Sequence, residues 1–134
     1  MSIALSIAAS GMAAASLRLN VSASNVANAL SFGPLPTAKN AIGFPPAYIP
    51  LRLDQTDVAG GGTAGTVRPV LPSYVPVYDP TAPFADNRGM VAAPNVDLGS
   101  ELVEQLLARY TFAANAKVAS ADAQMMNSLL DITT

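Results

Sequence analysis

No proline interrupts residues 97–132, and across that span apolar residues recur at helical spacing. Val103, Leu107, Tyr110, Ala114, Val118, Ala121, Met125, Leu129 and Ile132 advance in steps of three and four, averaging about 3.6, the α-helical repeat. A second line through Leu102, Leu106, Ala113, Ala116, Ala123, Met126 and Leu130 widens the apolar surface well beyond the stripe a helix needs to sit on one core. Such a helix requires more than one neighbour. Asp97 is placed to cap its first turn, and Glu101 and Glu104 meet the positive end of its dipole. The pattern points to a structural, self-assembling protein rather than an enzyme.

Residues 2–30 carry a second helix. Leu5, Ala8, Met12, Ala15, Leu19, Ala23, Val26 and Leu30 alternate steps of three and four, close to the coiled-coil repeat of about 3.5. Arg18 is its only charged side chain, which suits a helix enclosed by partners better than one with a face in water. Gly11 costs about 1 kcal/mol relative to alanine, so a close approach by another backbone is a reason for it. The apolar stretch at residues 3–15 has no basic segment before it and continues in helical rhythm past Arg18, so a cleaved signal is not expected. A membrane span is not expected either: Ser6, Ser10, Gly11, Ser16, Arg18 and Asn20 interrupt what would have to be about 20 predominantly apolar residues.

Between the helices the chain changes character. All eleven prolines fall from Pro34 to Pro94, and Gly60, Gly61, Gly62, Thr63, Ala64 and Gly65 form a loop signal. Short β-type runs remain at 47–53, 66–71 and 74–78, with prolines that suit edge strands. The expectation is a small irregular β-containing module over 44–78 and a turn-rich connector from Asp79 to Asp97. The fold class expected is mainly α: two long N- and C-terminal helices packed as an antiparallel coiled-coil-like inner domain (residues 1–31 and 97–134), with a Pro/Gly-rich middle segment (32–96).

Composition excludes several classes. A net charge of −2 with scattered basic residues does not make the stripe a nucleic-acid binder needs, and the absence of histidine and cysteine removes the usual zinc ligands, disulfides and thiol nucleophiles. Gly60, Gly62 and Gly65 match the dinucleotide fingerprint spacing, yet Val67, Arg68 and Pro69 follow where a helix should open, so the match reads as a loop. Asp86, Asn87, Arg88 and Gly89 resemble part of a calcium loop but lack the further carboxylates, and read as a turn. The acid pairs Asp54 with Asp57 and Glu101 with Glu104 read as solvated charge. No catalytic, cofactor or metal residue is expected. Asn25 and Asn28 admit two readings: terminators of the first helix, or polar contacts with an adjacent subunit or the C-terminal helix. Met125 and Met126 read as packing residues.

Ser10-Gly11-Met12, then Arg18-Leu19, then Asn25 and Asn28 within Ser24-Asn25-Val26-Ala27-Asn28-Ala29, resemble the N-terminal signature of the bacterial flagellar axial proteins, the rod, hook and hook-associated family. Phe112 and Asn115, followed by Met125-Met126 and Leu129-Leu130, are similar to that family's closing helix. Tyr78-Asp79-Pro80, Gly89-Met90-Val91 and Pro94-Asn95 resemble the segment that leads into this helix in small rod members. After Asn28 the chain departs from the pattern at Ser31-Phe32-Gly33-Pro34, with Tyr48 and Arg52 as loose counterparts.

The resemblance implies a subunit of the proximal rod, exported unprocessed by the flagellar type III apparatus and located in the basal-body rod across the periplasm. It implies partners among other rod subunits, further copies of this chain and the export apparatus, with no nucleic acid and no direct membrane insertion. Under it the terminal helices pack around a central channel, the middle segment faces neighbouring subunits, and the assembled helices transmit torque. A second expectation is that the termini of an isolated monomer are frayed and become helical on assembly. The alternatives are another axial subunit of the family or, in a different class, a secreted amphipathic protein acting on membranes.

Overall fold

The computed structural model describes residues 2–38 and 42–132; residues 1, 39–41, 133 and 134 and the side chain of Ile132 lie outside the description. Six elements follow in order: α1 (Ile3–Ala27), β1 (Leu51–Asp57), β2 (Thr63–Pro69), β3 (Tyr74–Tyr78), β4 (Met90–Pro94) and α2 (Leu98–Ile132). The strands pair as two separate antiparallel hairpins, β1 with β2 and β3 with β4. The expected mainly α class is therefore corrected to a mixed helix and sheet fold, because the proline-rich middle is ordered as sheet.

The proline pattern allows this. Pro69 stands opposite Leu51 and Pro76 opposite Ala92, positions where the facing residue directs its own N–H and C=O outward. The amide of Asn25 takes up those groups of Leu51, and Gly33 exchanges two backbone bonds with Ala92. A residue without an N–H therefore leaves no ladder bond unmade. Gly33 has no room for a side chain, since a Cβ there would run into the backbone nitrogen of Ala47. Around β4 the core of this second hairpin consists of Leu35, Val91, Ala92 and Ala93.

Both ends of α1 are capped. Ser2 Oγ accepts from the N–H of Leu5, and Asn28 closes the helix by donating its amide to the carbonyl of Ser24 at 2.9 Å. Asp97 opens α2, its carboxylate accepting from the N–H of Gly99 and Ser100. By length and composition α1 would suffice to cross a membrane. Here it lies between two partners from its own chain, α2 on one side and the β1–β2 hairpin on the other, while α2 meets no named element but α1. The hairpin runs back along α1, from Leu51 beside Asn25 to Thr63, whose N–H donates to Ser10 Oγ. That placement accounts for a helix with a single charged residue.

Candidate assembly interface

The helices do not meet along the apolar lines that the sequence displays. The residues of α2 that are not exposed are Glu101, Gln105, Ala108, Thr111, Asn115, Ala116, Ala119 and Asp122. Opposite them α1 turns inward Ala8, Gly11, Ala15, Arg18, Ser22 and Asn25, again in steps of three and four. The seam is made of small and polar side chains.

Its bonds fix an antiparallel register. Ser2 Oγ donates to Asp122 Oδ2 at 2.6 Å, Arg18 pairs with Glu104 at 2.9 Å, Ser22 Oγ donates to the carbonyl of Glu101 at 2.9 Å, and Asn25 Nδ2 donates to Glu101 Oε1 at 2.7 Å. Arg18 also donates to Gln55 of β1, tying three elements together. Among the described residues every buried side-chain nitrogen and oxygen has a partner. Asn25, only 1% exposed, uses its whole amide: Nδ2 donates to Leu51 O and Glu101, and Oδ1 accepts from Leu51 N and Tyr48 OH. Asn25 and Asn28 thus part company, Asn28 bonding within its own turn and Asn25 reaching the C-terminal helix. Glu101 and Glu104, read from the sequence as solvated, are both bonded to α1.

The large apolar residues lie outside. Along α2, Leu102 (59% exposed), Val103, Leu106, Leu107, Tyr110 (70%), Phe112, Val118, Met125, Met126, Leu129 and Leu130 are all exposed, and on α1 so are Ile3 and Leu19. This is a wide, nearly continuous apolar surface of the kind that marks a contact site. Of the residues singled out in sequence, Gly11 and Asn115 are joined at the seam, Leu19 and Phe112 line one groove, and Met125, Met126, Leu129 and Leu130 occupy the part of α2 beyond α1. Met12 is half-buried, and Ser10 binds the hairpin tip.

Tyr78, Asp79, Pro80, Pro94 and Asn95 gather elsewhere, around the β3–β4 hairpin. Asp79 accepts from the N–H and hydroxyl of Thr81, Pro94 stands opposite Tyr74, and Asn95 Nδ2 donates to the carbonyl of Pro72. Tyr78 and Pro80 close over Gly89, whose φ of 73° favours glycine. The Asp86 turn preceding it is held by its carboxylate. The N–H of Met90, then the N–H and guanidinium of Arg88, keep that carboxyl below its ordinary value, against desolvation that raises it. Asp97 is likewise held low, first by the N–H of Gly99, then by the hydroxyl and N–H of Ser100, against a smaller desolvation. Sequence reasoning passed over Ser2, Ser22 and Gln55, polar residues without motif or hydropathy, and gave Asp122 no role beyond its place in the closing-helix motif; the one signal for Ser22 is its three-and-four spacing with Ala8, Gly11, Ala15, Arg18 and Asn25.

Known proteins resemble this chain along most of its length. Residues 87–132, which include all of β4 and α2, match the family described as flagellar basal body rod FlgEFG protein C-terminal. Flagellar basal-body rod protein FlgC of Salmonella typhimurium is 38% identical over 134 residues, covering 94% of this chain and 92% of that protein. FlgC of Aquifex aeolicus is 35% identical over 117 residues (87% and 85%), and FlgC of Agrobacterium fabrum is 30% identical over 139 aligned positions (98% and 94%). The similarity runs through both helices and the hairpins between them, and the chain belongs to the flagellar basal-body rod protein FlgC family.

Proposed function

We propose that this chain builds its share of the rod by completing the apolar surfaces of α1 and α2 with those of neighbouring subunits. As a member of the family it is a structural subunit of the flagellar basal-body rod and assembles with other rod proteins. The finer reading is that it reaches the rod unprocessed through the flagellar export apparatus, without inserting into the membrane. Residues 1–31 and 97–134 then form an inner domain around the channel, and 32–96 face outward to neighbours. Torque passes across many small helix contacts, because interlocked side chains resist shear together where a single hinge would not.

One observation carries this reading: the chain spends small and polar residues on its internal seam and leaves Leu102, Leu107, Tyr110, Val118 and Leu129 outside. Burying a Leu, Val or Met contributes about 1.5–3 kcal/mol, so these faces represent most of the packing energy the helices can supply, and it is available only between molecules. The test is complementation of a deletion strain. The wild-type gene is expected to restore rod growth and motility, and a variant carrying Leu107→Glu and Val118→Glu, both at exposed positions, to restore neither while keeping its helicity. A motile strain carrying that variant would refute the proposal, as would strong binding of the dilute protein to lipid vesicles with no assembly at high concentration.

A further inference from the structure

The line along α2 that meets α1 continues after α1 has ended. Past Asp122, bonded to Ser2 at the start of α1, the helix runs on through residues 123–132, about 15 Å. The three-and-four steps of Asn115, Ala119 and Asp122 lead on to Met126 and Leu129, so the seam turns from small and polar to large and apolar where its own partner stops. Both side chains are exposed, at 50% and 60%. A seam with that change of composition is shaped to receive another helix.

The complementary surface lies near the opposite end of the helix pair. Leu19 of α1 and Leu102, Leu106 and Phe112 of α2 line an open groove of about 650 Å³ over a floor that includes Ala15 and Ala108. From Leu102 to Phe112 it extends about 15 Å along α2, the length of the overhang. The two surfaces are some twenty residues apart on one continuous helix, about 30 Å, so a chain cannot fill its own groove.

Resting on the rod-subunit reading above, we infer that residues 123–132 of one copy dock Met126 and Leu129 into the groove of Leu19, Leu106 and Phe112 on the next copy of this chain. The contact is head to tail. Each added copy buries one overhang and presents another, so the interaction propagates instead of closing on a dimer.

The chain has no cysteine, so introduced pairs report directly on this contact; a disulfide forms only when the two Cβ atoms come within about 4.5 Å. Leu106→Cys protein mixed with Met126→Cys protein and oxidised at assembling concentration is expected to give a mixed dimer, and a chain carrying both changes a ladder. Leu107→Cys, on the side of α2 away from the groove, is expected to give at least tenfold less product with Met126→Cys. All three positions are exposed, and unchanged helicity by circular dichroism confirms folding. If wild-type protein self-associates in sedimentation while Leu106→Cys cross-links to Met126→Cys no better than Leu107→Cys does, the docking inference is overturned and the rod-subunit reading stands. Cross-linking only to a different rod protein added to the mixture also overturns it. Wild-type protein that stays monomeric up to millimolar concentration removes both self-docking and self-polymerisation.

Discussion

Gly11 and Asn115 mark a close approach of the two helices: a Cβ on residue 11 would lie 2.6 Å from Asn115 Oδ1. Sequence suggested that close approach from the cost of a glycine inside a helix, but not that the neighbour would be a polar side chain. Asn25 shows the same limit more sharply. Its type and position are compatible with a simple helix terminator, and only the fold brings Tyr48, Leu51 and Glu101 around it. Asn25→Ala would leave the N–H and C=O of Leu51 and the Glu101 carboxylate without this partner. Since each stranded buried polar group costs about 1–3 kcal/mol, the variant is expected to lose about 2–4 kcal/mol of stability in chemical denaturation. A change below about 0.5 kcal/mol would mean that water replaces the amide and that the network does not join the three elements.

Among the elements, those with a strong local signal were legible and those defined by a distant partner were not. Both helices were apparent from apolar spacing, and β3 from its own residues. The strand β4 falls in the expected connector because Met90, Val91, Ala92, Ala93 and Pro94 make a short run whose pairing with β3 lies across a long loop, with one further bridge from Ala92 to the distant Gly33. The rotation of the helices was hidden for a related reason. Hydropathy reveals the face richest in large apolar groups, and in this chain that face points away from the molecule, while alanine, serine and glycine form the seam. The cap of α2 was legible, and it has a definite pH signature. Asp97 has its carboxyl held below the ordinary 3.8 in the folded chain, so its contribution is fully present above that value and is lost as pH falls through the lowered native one. Asp97→Ala should lower stability at neutral pH, because the N–H groups of Gly99 and Ser100 lose their cap. The difference between wild type and variant should shrink under acid, measured by thermal melts from pH 7 down to pH 2.5. A difference that holds constant across that range would show that the carboxylate does not cap the helix.

Across the whole molecule order is distributed unevenly, and this narrows the expectation of frayed termini to one end. The first helix has α2 on one flank and the β1–β2 hairpin on the other, and its polar groups are tied to both. Residues 123–132 extend past the last seam bond, between Ser2 and Asp122, with Met125, Met126, Leu129 and Leu130 exposed. Helical turns without tertiary packing are marginal in water, because each residue's ordering entropy nearly cancels its hydrogen bond. In dilute protein the backbone amides of 123–132 should therefore exchange with solvent hydrogen through low-energy local opening, while those of residues 10–25 exchange slowly. Assembly changes that balance only where it adds contacts. Burial of one or two Met or Leu side chains supplies about 2–5 kcal/mol, so exchange at 123–132 is expected to slow by roughly a hundredfold or more in assembled protein, with little change along the α1 seam. Equal protection of 123–132 in dilute and assembled samples would show that this end of α2 is neither loose in the monomer nor covered in the polymer, and the apolar overhang would then have no part in building the rod.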